Sequence, residues 1–128
     1  MAGTVAADVL MDGAGNSTAM DNAIYGSAKA WVNFNASSGS AVIRASYNIS
    51  SVTVNTTGGF TINFTNALAD ANYSAIAQTG GGYYFTALFS TYNGISNAPT
   101  SSGFQIGTAN SAASVNLNPT YVCVSVFR

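Results

Sequence analysis

The side chains able to carry acid–base, nucleophilic or metal chemistry are few: Asp8, Asp12, Asp21, Asp70, Lys29, Arg44, Arg128 and one thiol, Cys123. The sequence contains neither His nor Glu. A Ser-His-Asp or Cys-His relay is therefore excluded, as is any His-ligated metal site. A glycosidase-type carboxylate pair would have to come from two of the four aspartates. Asp8, Asp12 and Asp21 lie near the N-terminus, and Asp70 stands in Leu68-Ala69-Asp70-Ala71-Asn72, which is turn composition. Asp8, Asp12 and Asn16 invite a calcium reading, but the spacing is not that of an EF-hand loop and no Glu closes it. Gly80-Gly81-Gly82 precedes neither a helix nor Gly-Lys-Ser/Thr, so it reads as a hairpin turn rather than a phosphate loop. The expectation is a non-enzymatic protein with no catalytic residue, no metal ligand and no cofactor.

The remaining residues with chemical interest have structural readings. Cys123 alternates with Val122 and Val124 and is expected to be a buried, inert thiol. Arg44 stands in an apolar run and is expected either to be exposed or to pair with Asp70. Trp31, Tyr83 and Tyr84 could form an aromatic platform for sugar, with core packing or a subunit contact as the plainer reading. Six Asn-X-Ser/Thr triplets occur, at Asn16, Asn35, Asn48, Asn55, Asn63 and Asn72, and read as chance in a chain rich in those residues.

Composition bounds the function further. Charged residues are 5% of the chain, against about 25% in an average soluble protein. Hydrophobic residues are 48%, enough for an ordinary core. Asn, Ser, Thr and Gly supply the polarity. A near-neutral surface favours association, so the chain is expected to live in an assembly. Phosphate binding needs clustered cations, whereas the net charge is −1 and the three cations are far apart in sequence, so no nucleic-acid partner is expected. No apolar run approaches the roughly 18 residues of a membrane span. The start, MAGTVAADVL, has neither the basic nor the long apolar region of a secretory signal.

These side chains must be positioned by strands. Residues 1–27 differ from the rest: three of the four aspartates lie there, with one aromatic, Tyr25, and turn formers at Asp12-Gly13 and Gly15-Asn16. The segment reads as an arm that attaches the domain to something else, with one short strand over residues 5–11 and Val5, Val9, Leu10 and Met11 as its apolar contact. From Lys29 onward, period-2 alternation recurs. Val32 and Phe34 oppose Asn33 and Asn35, and Phe60, Ile62 and Phe64 oppose Thr61, Asn63 and Thr65. Further strands are expected over 41–47, 51–55, 73–78, 83–91 and 121–127, with a short one at 104–106. Thr57-Gly58-Gly59 should close a hairpin. Outward Asn and Thr can bond across strands without charge. Good helix formers are scarce. The fold class is all-β: an antiparallel β-sandwich (jelly-roll-like) of about eight strands over residues 28–128, preceded by the 1–27 arm.

One string of residues resembles a known module. Lys29-Ala30-Trp31-Val32-Asn33-Phe34-Asn35, then Ile43-Arg44-Ala45-Ser46-Tyr47-Asn48-Ile49-Ser50-Ser51-Val52, then Phe60-Thr61-Ile62-Asn63-Phe64-Thr65-Asn66-Ala67, then Asp70-Ala71-Asn72-Tyr73 is similar to a module of tailed-bacteriophage virion proteins of the tail-fibre and decoration type. The ending Val122-Cys123-Val124-Ser125-Val126-Phe127-Arg128 looks like the termini of such proteins. The resemblance covers residues 29–73 well and leaves 83–120 unmatched. It implies a structural, often trimeric, virion component made in the bacterial host cytoplasm, and it carries no catalytic residues. Its partners would be copies of itself, other tail or capsid proteins, and for a fibre a host-surface glycan. The receptor contact would fall in the loops at 79–84 and 93–103, with Tyr83, Tyr84, Tyr92 and Asn93 as candidates, because loops on a rigid scaffold usually carry recognition. Only 28 residues precede Lys29. That leaves no room for a fibre shaft and brings capsid decoration alongside the tail-fibre reading. A free carbohydrate-binding module is the alternative outside the virion.

Overall fold

A computed structural model of the chain describes residues 3, 7–81, 98–110 and 115–128, and the backbone of 84–88. Two antiparallel four-stranded sheets share one core. The strands are β3 (Ala28–Asn35), β4 (Val42–Tyr47), β5 (Ile49–Thr56), β6 (Gly59–Phe64), β7 (Ser74–Gly80), β8 (Tyr84–Leu88), β9 (Gly103–Asn110) and β10 (Tyr121–Phe127). One sheet runs β4–β3–β10–β7 and the other β5–β6–β9–β8. Hairpins β3–β4, β5–β6 and β8–β9 each stay within a sheet, which is a simpler connectivity than a jelly roll.

The alternation of side chains decides what is buried. Ala30, Val32 and Phe34 of β3 and Val122, Val124 and Val126 of β10 face inward from the first sheet. Phe60, Ile62 and Phe64 of β6 and Phe104 and Ile106 of β9 meet them from the second. Phe34 and Phe60 touch across the sandwich edge to face, with ring centroids 5.3 Å apart. Phe64, Tyr73 and Phe104 form a second aromatic group, with centroids 5.7–5.9 Å apart. The Tyr73 hydroxyl donates to the Thr100 and Gly103 carbonyls, and burial pushes its pKa up to about 12. Each fully buried Val, Ile or Phe contributes roughly 1.5–3 kcal/mol relative to exposure.

The chain changes sheets between β4 and β5 at a single residue, Asn48. Its φ is +54°, in the left-handed region that Asn tolerates better than other non-glycine residues. Its side chain holds the corner: Nδ2 donates to the Lys29 and Asn66 carbonyls and Oδ1 accepts from the Asn66 amide. The β5–β6 turn needs Gly58 (φ +72°), where a Cβ would lie 2.3 Å from the Thr108 carbonyl oxygen. Thr108 is buried there, its hydroxyl donating to the Leu117 carbonyl at 2.6 Å.

Residues 7–27 precede the two sheets, and Lys29 Nζ of β3 donates to the Ile24 carbonyl among them. Strands β1 (Val9–Met11) and β2 (Ser17–Ala19) pair as a hairpin, and helix α1 (Met20–Gly26) follows. The strand is shorter than the expected 5–11 span, and Val5 lies outside the described residues. The helix was not expected; it is seven residues long, buries no residue and has no side-chain cap, so neither periodicity nor capping announced it. β9 likewise runs over eight residues where three were expected at 104–106. Its extension, Gly-Thr-Ala-Asn, is weak in strand propensity, and buried tertiary contacts hold it instead.

Candidate interaction surface

The two sheets turn different outer faces to solvent. On β4–β3–β10–β7 the register lines up Tyr47, Trp31, Ser125 and Ile76 in one row across four strands. The next row is Ala45, Asn33, Cys123 and Gln78, and Tyr121 lies beyond it on β10. Adjacent strands are about 4.8 Å apart, so neighbours in a row are in reach of one another. Trp31, Tyr121, Ile76 and Tyr47 are 38–59% exposed. Among the described residues none packs over them to bury them; this is an exposed aromatic and aliphatic sheet face.

Arg44 is the cation of that face. A β-bulge between Asn33 and Phe34 makes it the extra residue of β4, so Ile43 and Ala45 both keep their proper faces while Arg44 reaches over β3. Nη1 donates to Asn33 Oδ1 (3.2 Å), Nη2 donates to the Thr120 carbonyl (2.8 Å), and the guanidinium carbon sits 4.3 Å from the Tyr121 ring centroid. Arg44 is therefore exposed, as one of its two readings had it. The other reading, a pair with Asp70, is not what forms: Asp70 binds Arg128, with Arg128 Nε donating to Oδ1 at 3.0 Å. That hydrogen bond holds the Asp70 carboxyl at about 2, and the Asn72 amide adds to the effect. Asp70 is a turn-and-ion-pair residue.

Cys123 overturns its expected burial. Period 2 gives Val122, Val124 and Val126 the inner face, and so gives Tyr121, Cys123 and Ser125 the outer one; the thiol is exposed between Asn33 and Gln78.

The outer face of β5–β6–β9–β8 is built differently. Ser51, Thr53 and Asn55 stand opposite Thr61 and Asn63 and bond to them. Asn63 Nδ2 donates to Ser51 Oγ (3.0 Å) and Thr53 Oγ1 (3.2 Å), and Asn55 Nδ2 donates to Thr61 Oγ1 (2.8 Å). A recess of about 130 Å³ near Thr61, Asn63, Thr100, Ser102 and Gln105 is below the roughly 300 Å³ at which small-molecule sites begin.

The sequence-derived candidates divide. Tyr83, Tyr92 and Asn93 lie outside the described residues. Tyr84 opens β8, its backbone paired with Asn110. Val9, Leu10 and Met11 form β1 and are all exposed, 43–71%. The calcium reading of Asp12 and Asn16 gives way to a turn: the Asp12 carboxylate accepts from the Ala14 and Asn16 amides and from Asn16 Nδ2, which lowers its pKa, the Asn16 side-chain bond most. Among the described residues no group of three or more His, Cys, Asp or Glu could hold a metal, and no helix is long and apolar enough to cross a membrane. Trp31 stands opposite Tyr47 across the β3–β4 pair, while Tyr83 and the side chain of Tyr84 lie outside the described residues. Tyr47, Ile76 and Tyr121 were missed as surface candidates because only the strand register brings them together.

Comparison with family models, with curated proteins and with solved structures finds no match to this chain.

Proposed function

We propose that the protein is a non-enzymatic structural component of a bacteriophage virion, displayed on the particle either as a tail-fibre or tip element or as a capsid decoration protein. The observation that carries the reading is the open aromatic face of β4–β3–β10–β7 on a chain with only three cations and four carboxylates. Exposed apolar patches of this kind mark sites of association. The resemblance of residues 29–73 to virion modules supplies the kind of particle. Assembly as a homotrimer follows the same resemblance and the low charge. The exposed Trp31–Tyr47 pair favours a second reading, a free carbohydrate-binding module, since aromatic rings with amide neighbours suit a sugar.

Copy number in purified particles tests it. Quantitative mass spectrometry should find this 13.0 kDa chain in the virion. Hundreds of copies assign it to capsid decoration, and a small multiple of three assigns it to a fibre. A chain missing from particles overturns the virion reading and leaves the free binding module.

A further inference from the structure

Among the described residues two apolar surfaces are uncovered, and they lie in segments of opposite charge. One is the arm: Val9, Leu10 and Met11 of β1, with Ile24 and Tyr25 of α1, are all exposed. The other is the outer face of β4–β3–β10–β7, with Val42, Tyr47, Trp31, Ile76 and Tyr121. Residues 1–27 contain three aspartates and no Lys or Arg, a formal charge of −3. Residues 28–128 contain Lys29, Arg44, Arg128 and Asp70, a formal charge of +2, which together give the chain's −1. Within the sandwich Asp70 is taken by Arg128, and the groups that hold Arg44 are an amide, a carbonyl and a ring rather than a carboxylate. A two-stranded hairpin is marginal in water on its own, and none of the described arm residues is buried. Among the described residues no surface of its own chain buries the hairpin, and a surface on another copy would do so.

We propose that the β1–β2 hairpin of one copy docks on the outer face of the β4–β3–β10–β7 sheet of the next copy. Leu10 covers the Trp31–Ile76 row, and the arm carboxylates face Arg44. The contact is head-to-tail: arm and face are different surfaces, so each copy gives one and receives one. Three such contacts close a ring, whereas a contact whose rotation does not close runs on as a filament. The inference deepens the assembly part of the proposed function and needs no particle, so its failure leaves the copy-number experiment standing.

The test uses the purified 128-residue chain. Trp31 is its one tryptophan and lies on the proposed face, so its emission reports docking directly. Sedimentation of the wild type should show concentration-dependent association, with Trp31 emission moving to shorter wavelength in step. Added salt should weaken association, because the paired charges are exposed. Leu10→Asp on the arm and Ile76→Asp on the face should each weaken it by about tenfold or more, the loss expected of a central apolar anchor. Tyr47→Asp, at the opposite edge of the sheet, should repeat the Ile76→Asp result and guards against a local folding defect. Mixing Leu10→Asp with Ile76→Asp should restore a two-copy complex, since the intact arm of the second meets the intact face of the first. If Leu10→Asp associates like the wild type while Ile76→Asp does not, faces pair with faces and the proposal is overturned. It is equally overturned if the wild type stays monomeric, whether Trp31 emission is unmoved or shifts only on adding purified lipopolysaccharide.

Discussion

The two outer faces of the sandwich start from the same rule and end in different places. On both sheets alternation sends aliphatic and aromatic residues inward and leaves every second position outside. On β5–β6 those outside positions are Ser51, Thr53, Asn55, Thr61 and Asn63, and their amides and hydroxyls bond to one another. That face is complete as it stands. On β4–β3–β10–β7 the outside positions include Tyr47, Trp31, Ile76 and Tyr121, which have water where a packing partner would be. Polar cross-strand pairs make a surface that needs nothing further. A row of exposed rings makes one that gains by being covered. The difference separates a face whose polar side chains are satisfied within it from a face whose rings are uncovered.

The comparison can be broken from the inside first. Both sheets share one core, so Phe34→Ala in one and Phe60→Ala in the other should each destabilise the fold by about 3–5 kcal/mol in urea titration. A markedly smaller loss for one would mean that the sheets do not fold as a unit. Next is the corner that joins them. Asn48→Ala removes three side-chain hydrogen bonds and puts a residue ill suited to it in left-handed backbone, an expected loss of about 2–4 kcal/mol. Asn48→Gly keeps the backbone and loses only the bonds, so it should fall between Ala and the wild type. Smaller again, Asn63→Ala opens the polar ladder and should cost about 1 kcal/mol, without changing association. The smallest effect is in acid. The folded Asp70 carboxyl titrates at about 2, below its unfolded value, so its pairing with Arg128 stabilises the fold above about pH 4. That contribution is lost as pH falls through about 2. The acid limb of the melting temperature should shrink in Arg128→Ala.

Much of the fold was legible because a strand writes its burial directly as alternation. The β3, β6 and β10 runs show it in Val32/Phe34, Phe60/Ile62/Phe64 and Val122/Val124/Val126, and Gly58 marks the hairpin between β5 and β6. What alternation cannot write is which strands become neighbours. Trp31 was visible as an aromatic, yet Tyr47 and Ile76 joined it only through register. The same parity that made the β10 valines core put Cys123 outside, a consequence hidden by the usual burial of cysteine. β9 was expected only over 104–106, and its start at Gly103 was hidden for another reason. Gly103 lies so close to β6 that a Cβ would sit 2.3 Å from the Ile62 carbonyl oxygen, and residues chosen for close approach do not look like a strand.

One measurement bears most directly on the difference between the faces: sedimentation of two single variants, each placing one carboxylate on one outer face. Ile76→Asp lies on the open aromatic face and Thr53→Asp on the hydrogen-bonded one, both at exposed positions where a surface change should alter folding stability by little, about 0.5–1 kcal/mol at most. The expected result is that Ile76→Asp remains a monomer at concentrations where the wild type associates, while Thr53→Asp associates as the wild type does. Equal behaviour of the two variants, or loss of association with Thr53→Asp alone, would contradict the assignment of the interaction surface to β4–β3–β10–β7.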